Sequence, residues 1–274
     1  MALTHTRPFS ESALHESAWY WAIEPAVRAL GSCEVFPTRE QLTALHAVAA
    51  AGADVPALRF APYLKRTRKL RKVPIDIEAL YDGSITARRE VPTREADWHD
   101  LFNALVFASF PKSKHALHAN QFAQLRQRVA HDARKLPGAR SREQDALTLF
   151  DEGGCLVAGD RSSLATLPPF EPSILLSAQQ DDFYAALRAG ISARKLVVAP
   201  FGHALFEHKV AGLRGPSSFA YLLELPELAA DRPTLVRSID DAFARALNDP
   251  ERFCSPSELR RLDLTDLGEP LGYF

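Results

Sequence analysis

The run Trp98-His99-Asp100-Leu101-Phe102-Asn103-Ala104-Leu105-Val106-Phe107-Ala108-Ser109-Phe110 decides the fold class. Trp98, Leu101, Phe102, Leu105, Val106, Ser109 and Phe110 follow the 3.6-residue period, so one continuous face of a helix is buried. Asp97 is a natural N-cap for it, and Asp100 places negative charge in the first turn, worth about 0.3–1 kcal/mol there. Pro111 interrupts this helix or starts the next, and the period resumes over Lys112–Ala133 through Leu117, Phe122, Leu125 and Val129. Upstream, the period is two. Ile75, Ile77 and Ala79 share a parity, Asp82-Gly83 reads as a turn, and Ser84–Val91 completes a hairpin near 75–91.

The remaining elements follow from the same rules. Ala18–Leu30 is helical with a break or a helix start at Pro25, and Thr38 with Gln41 forms a capping box for a helix that ends at Gly52. Ala57–Lys72 is extended or irregular, and Arg142–Phe150 is ambiguous between helix and strand. Asp151-Glu152-Gly153-Gly154 reads as a turn, with short strands near 155–158 and 195–201. Helices are expected over Asp181–Ala189, from Gly202-His203 to near Gly212, over Pro233–Leu247 and over Ser255–Leu262, while Phe219–Glu224 is a strand or a buried helix. The expected class is α+β, predominantly helical with a small sheet. It forms a single globular domain over 1–274, with the Pro-rich stretch 167–172 as the one candidate boundary.

Composition bounds the function. The 274 residues are 46% hydrophobic and 24% charged, the make-up of a globular chain rather than a disordered or fibrous one. Lys+Arg total 33 against 34 Asp+Glu, for a net charge of -1, which argues against a dedicated polyanion binder. Cys33, Cys155 and Cys254 are far apart, giving neither a disulfide framework nor a zinc-knuckle spacing. Met1–Glu16 has no apolar core of a secretory signal, and no apolar run approaches the roughly 20 residues that span a bilayer. The expectation is a soluble, cytoplasmic protein that needs no membrane. Phosphate-loop, dinucleotide-binding and nucleophile-elbow glycine motifs are missing.

Four polar groups carry chemistry if the fold gathers them. His99 and Asn103 are i and i+4 at a helix mouth, where a histidine binds metal or moves a proton and the amide orients a ligand. His203 and Glu207 are also i and i+4, at a strand-to-helix junction, a pair suited to metal binding or acid–base work; an intrahelical hydrogen bond on an exposed flank is the plain alternative. His115 and His118 are i and i+3, but no third ligand is nearby and a solvated basic face explains them as well. Asp145, Asp151 and Glu152 offer hard oxygen ligands to a divalent cation or simply make a turn. The basic segments 65–72 and 112–142 provide a different reading, a non-catalytic module that docks an acidic partner or RNA.

Val91-Pro92-Thr93-Arg94, Trp98-His99-Asp100-Leu101-Phe102-Asn103-Ala104-Leu105-Val106 and Phe110-Pro111-Lys112-Ser113-Lys114 together resemble a bacterial family, domain of unknown function 3025. Asp145–Glu152 and Gly202–Glu207 resemble its later blocks in the same order. The resemblance carries no activity. It implies that His99, Asp100, Asn103, Asp145, Asp151, Glu152, His203 and Glu207 belong to one constellation. The leading expectation is a metal-dependent hydrolase in which His99, His203 and Glu207 hold a divalent metal or act as acid–base groups. Asp100 and Asn103 orient them, and Asp145 or Asp151 adds a carboxylate.

Overall fold

The computed structural model describes residues 8–15, 17–64, 73–168, 177–213 and 217–267. Short 3-10 turns lead into α1 (Glu24–Leu30), which has Pro25 in its first turn. α2 (Arg39–Ala53) carries the expected Thr38–Gln41 capping box. β1 (Arg59–Pro62) lies in the segment expected to be extended. It pairs in parallel with a strand beyond α3 (Tyr81–Arg88), namely β2 (Glu90–Thr93), with Phe60 opposite Val91.

The hairpin expected near 75–91 is therefore replaced by a 3-10 turn, a helix and a strand. Asp76 caps Ile77–Ala79 through Glu78 N and Ala79 N, so the alternating apolar residues turn instead of extending. Gly83 sits in the first turn of α3, not at a hairpin apex. A Cβ there would lie 2.1 Å from the Ile77 carbonyl oxygen, so the glycine serves close backbone approach.

α4 (Trp98–Ser109) is the central helix, with Asp97 as its N-cap accepting from Asp100 N. Its expected apolar face is buried, and so are Asn103, Ala104 and Phe107 on other faces, because α1, α2 and later helices surround it. α5 (Pro111–Arg128) begins at Pro111 and ends short of Ala133. α6 (Arg142–Gly153) is fully helical under a Ser141–Gln144 capping box, so Asp151 and Glu152 occupy its last turn rather than a loop. β3 (Gly154–Gly159) follows directly, then α7 (Arg161–Leu164) and α8 (Ser177–Ser192). Most of the candidate boundary 167–172 lies outside the described residues.

β4 (Leu196–Pro200) feeds α9 (His203–Val210); β5 (Ser217–Glu224) is a strand, and α10 (Arg232–Leu247) follows. The expected helix over Ser255–Leu262 is one 3-10 turn at Pro256–Glu258 followed by β6 (Arg260–Asp263), with α11 (Leu264–Leu267) behind it. Pro256 and the Ser255–Glu258 capping box do start a turn, but the next residues are drawn out to pair antiparallel with β5. The second sheet has the order β4-β3-β5-β6, with β3 parallel to β5 and antiparallel to β4. β3 and β4 are buried throughout, which explains their unbroken apolar runs. Phe150, Phe201, Phe243 and Phe253 meet ring against ring beside them. The architecture is α+β and predominantly helical.

Two contacts place the site. Phe201 N and Gly202 N both donate to the Gly154 carbonyl, at 2.9 and 2.8 Å, so the β4–α9 turn rests on the α6–β3 junction. Gly202 permits this, since a Cβ would stand 2.5 Å from Glu152 O, Gly153 N and Gly154 N. α5, which lacks a side-chain cap of its own, is capped from α10: Asp240 accepts from Lys112 N at 3.0 Å and Ser113 N at 2.8 Å.

A Gly202→Ala substitution should force the junction apart and cost about 1–3 kcal/mol in urea unfolding; unchanged stability would refute the close-approach argument. Burial pushes the Asp240 carboxyl up to about 6, above its unfolded value. Its contribution is then full below about pH 4 and lost as pH rises through about 6. Between pH 4.5 and 7 the wild type should lose about 2 kcal/mol more than Asp240→Asn, and parallel pH profiles would contradict this.

Candidate metal centre

His99 stands in the first turn of α4, and its position is set by the segment before it. Arg94 grips Asp100 through its backbone N at 2.6 Å and through Nε and Nη2, each at 2.9 Å, and its Nη1 reaches Asp97 Oδ2 at 3.2 Å. This clamp pins the end of β2 to the mouth of α4. His203 is the first residue of α9, delivered to the end of α6 by the Gly202 contact. The two rings meet at 82° with centroids 4.3 Å apart, and His203 Nε2 lies 3.0 Å from His99 Nε2. Glu152 Oε2 stands 3.4 Å from His203 Nε2.

The second carboxylate lies behind the first ring. Glu207, four residues after His203, reaches across to His99, with Oε2 2.9 Å from Nδ1. An ionised Glu207 accepts a hydrogen bond from the His99 Nδ1–H, and in the neutral ring the lone pair then sits on Nε2, facing His203. Burial disfavours charge on His99, but the Glu207 hydrogen bond and the charges of Glu152, Glu207 and Asp100 outweigh it and raise its pKa. Burial drives His203 well below the ordinary histidine value, assisted by His99 and opposed by Asp151. Burial and neighbouring Asp151 raise Glu152. Among the described residues, His99, Glu152 and His203 are the one group of three whose ligand atoms all lie within 4.8 Å of one another.

A cavity of about 410 Å³ opens over these groups, with Tyr63, Tyr81, Arg94, Asn103, Arg140 and Asp151 in its wall. A polar chain runs from this wall inward to Lys114. Lys114 Nζ donates to Asn103 Oδ1 at 3.0 Å and to Asp151 Oδ1 at 2.5 Å, and Asn103 Nδ2 donates to the Tyr81 hydroxyl at 2.7 Å. Lys114 is wholly buried and also lies over the Phe107 ring, 4.4 Å from its centroid. Burial opposes the Asp151 charge, yet Lys114 holds that carboxyl far below the usual carboxylate range. Burial, then Asp151, pushes the Tyr81 phenol well up, so it stays protonated.

The eight polar residues expected to assemble are thus brought together with one exception. Asp145 lies in the first turn of α6, away from the cavity wall. Asp100 touches Arg94, Asn103 touches Tyr81 and Lys114, and Asp151 is occupied by Lys114. His118 is buried against Asp82, Nδ1 to Oδ1 at 3.0 Å, and so does not lie on a solvated face. His115 faces His46, with ring centroids 6.0 Å apart. Of the basic segments, 65–72 lies outside the described residues, and 112–142 withdraws Lys114 into the interior.

Sequence reasoning missed Lys114, Tyr81 and Arg94 as parts of the site. A signal for Lys114 existed: Leu117, His118 and Gln121 stand at i+3, i+4 and i+7 from it, which puts the lysine on the buried face of α5.

The family described as protein of unknown function (DUF3025) matches residues 70–268, and the chain belongs to it. No curated protein and no solved structure shows a significant match. No helix among the described residues is long and apolar enough to cross a membrane.

Replacing Lys114 by Met strands Asp151 in the interior and should cost about 3–5 kcal/mol by chemical denaturation. The double variant Lys114→Met/Asp151→Leu should recover much of that loss. A double variant no more stable than the single one would show that the ion pair is not the reason for the cost.

Proposed function

We propose that this protein is a cytosolic metal-dependent hydrolase with a mononuclear centre on His99 Nε2, His203 Nε2 and Glu152. The observation that carries the reading is the ligand spacing. Atoms about 2.0–2.1 Å from a tetrahedral ion lie roughly 3.3 Å from one another. The His99–His203 and His203–Glu152 separations are 3.0 and 3.4 Å. Two imidazoles and a carboxylate, with one side open to a cavity, are the donor set of a catalytic rather than a structural zinc-type site.

Glu207 then serves as the carboxylate that fixes the tautomer and orientation of His99 instead of joining the ligands. Burial keeps His203 neutral, the form that binds a cation. The Arg94–Asp100 clamp and the Lys114–Asp151 pair fix the ends of α4 and α6, and the Gly202 contact with the Gly154 carbonyl fixes the start of α9. His99, His203 and Glu152 would hold a divalent ion, which would supply a bound water of lowered pKa and polarise the substrate bond. In hydrolysis the bond between the electrophilic centre and the leaving group would break, the centre taking OH from water and the leaving group taking the other proton. The cytosolic setting is supported by three free cysteines, of which buried Cys155 has a thiol pushed up to about 12 by burial.

Protein purified without a histidine tag and analysed by mass spectrometry for metals should hold about one transition-metal ion per chain. His99→Ala and His203→Ala should lose the ion while still folding, and Glu207→Gln should weaken its affinity about 10–100-fold. Substoichiometric metal in every wild-type preparation would remove this reading. A large melting-temperature drop in His203→Ala with unchanged metal would make the residue structural.

A further inference from the structure

We infer that the substrate of this cavity is a small molecule carrying an oxyanion, a carboxylate or a phosphate, that docks on Arg140. The inference rests on the hydrolase reading for what happens to the substrate, but its own ground is the charge pattern of the cavity wall. Asp82 faces His118, Asp100 and Asp97 share Arg94, Asp151 holds Lys114, and Glu152 faces His203. Arg94 spends its backbone N, Nε, Nη1 and Nη2 on those two acids, so it has little left to offer a ligand. Among the described residues, Arg140 is the charged group of the wall that meets no carboxylate and makes no hydrogen bond.

Its backbone is nevertheless anchored on both sides. Arg128 Nη2 donates to the Ala139 carbonyl at 2.9 Å and Nη1 to Gln144 Oε1 at 2.7 Å. Ser141, on the other side, closes the capping box of α6 with Gln144. An unpaired guanidinium on a fixed stretch of chain presents a planar fork of donors, and that fork matches the two oxygens of a carboxylate or phosphate. A cation held by Glu152 would add positive charge to the same cavity, favouring an anion further. The volume, about 410 Å³, lies at the small end of ligand sites, so the oxyanion belongs to a small molecule rather than to a polymer threaded through a groove.

Calorimetric titration with inorganic phosphate and with succinate tests this, using wild-type protein of measured metal content alongside R140A, R140K and R142A. At least one anion should bind the wild type and bind R140A about tenfold or more weakly, because a charge-assisted pair is lost. R140K should recover part of the affinity, R142A should match the wild type, and metal content should be equal in all four. Equal binding by wild type and R140A, an R142A loss as large as that of R140A, or no binding of either anion would overturn the inference. Absence of metal from the wild type would instead defeat the hydrolase reading. The comparison of wild type with R140A on that metal-free protein still decides the role of Arg140.

Discussion

Two backbone amides, of Phe201 and Gly202, share the single carbonyl of Gly154, and the geometry of the site descends from that contact. It welds the exit of β4 to the point where α6 becomes β3. The last turn of α6 and the first turn of α9 are thereby brought face to face, carrying Glu152 and His203. No side chain can intervene, because position 202 is a glycine packed on peptide atoms. The third element, α4, is locked in by aromatic packing: Phe102 stacks on Phe206 of α9 with centroids 5.6 Å apart. His99, three residues before Phe102, is carried to His203 by that stacking.

The polar interior then obeys a simple rule, that charge out of water must find an opposite charge or a hydrogen bond. Lys114 illustrates it. A fully buried ammonium is tolerated because Asp151, Asn103 and the face of Phe107 surround it. Arg94 performs the same service nearer the surface for Asp97 and Asp100. Such pairs contribute little net stability against apolar alternatives, yet they fix the direction of every side chain they touch. Among the described residues of the cavity wall, they leave the guanidinium of Arg140 without a carboxylate, beside the convergence of His99, His203 and Glu152.

Local signals in the chain were reliable where one neighbourhood decides the outcome. The capping box at Thr38, the proline start of α5 and the buried face of α4 all follow from residues within a few positions of one another. Errors arose where a distant partner overruled the local pattern. Gly83 marks close packing on Ile77 rather than a hairpin turn, and the residues after Glu258 extend because β5 offers an edge to pair with. The pairing of Glu207 shows the same effect: its spacing from His203 suggests an intrahelical bond, but its hydrogen bond goes to His99, 108 residues away in the chain.

From the order of residues alone came the helix-rich class, the two histidine-bearing helix starts and the acids that accompany them. These are matters of period and capping, and they need no knowledge of what lies opposite. Which acid faces which histidine, why a lysine belongs in the core, and which arginine remains unpaired depend on surfaces that meet only after folding. Hydrogen bonds and ion pairs act over a few ångströms of space and take no account of separation along the chain. The facing of His99, Glu152 and His203 is therefore a product of long-range packing, built on the glycine contact and the aromatic stack that hold their three helices together.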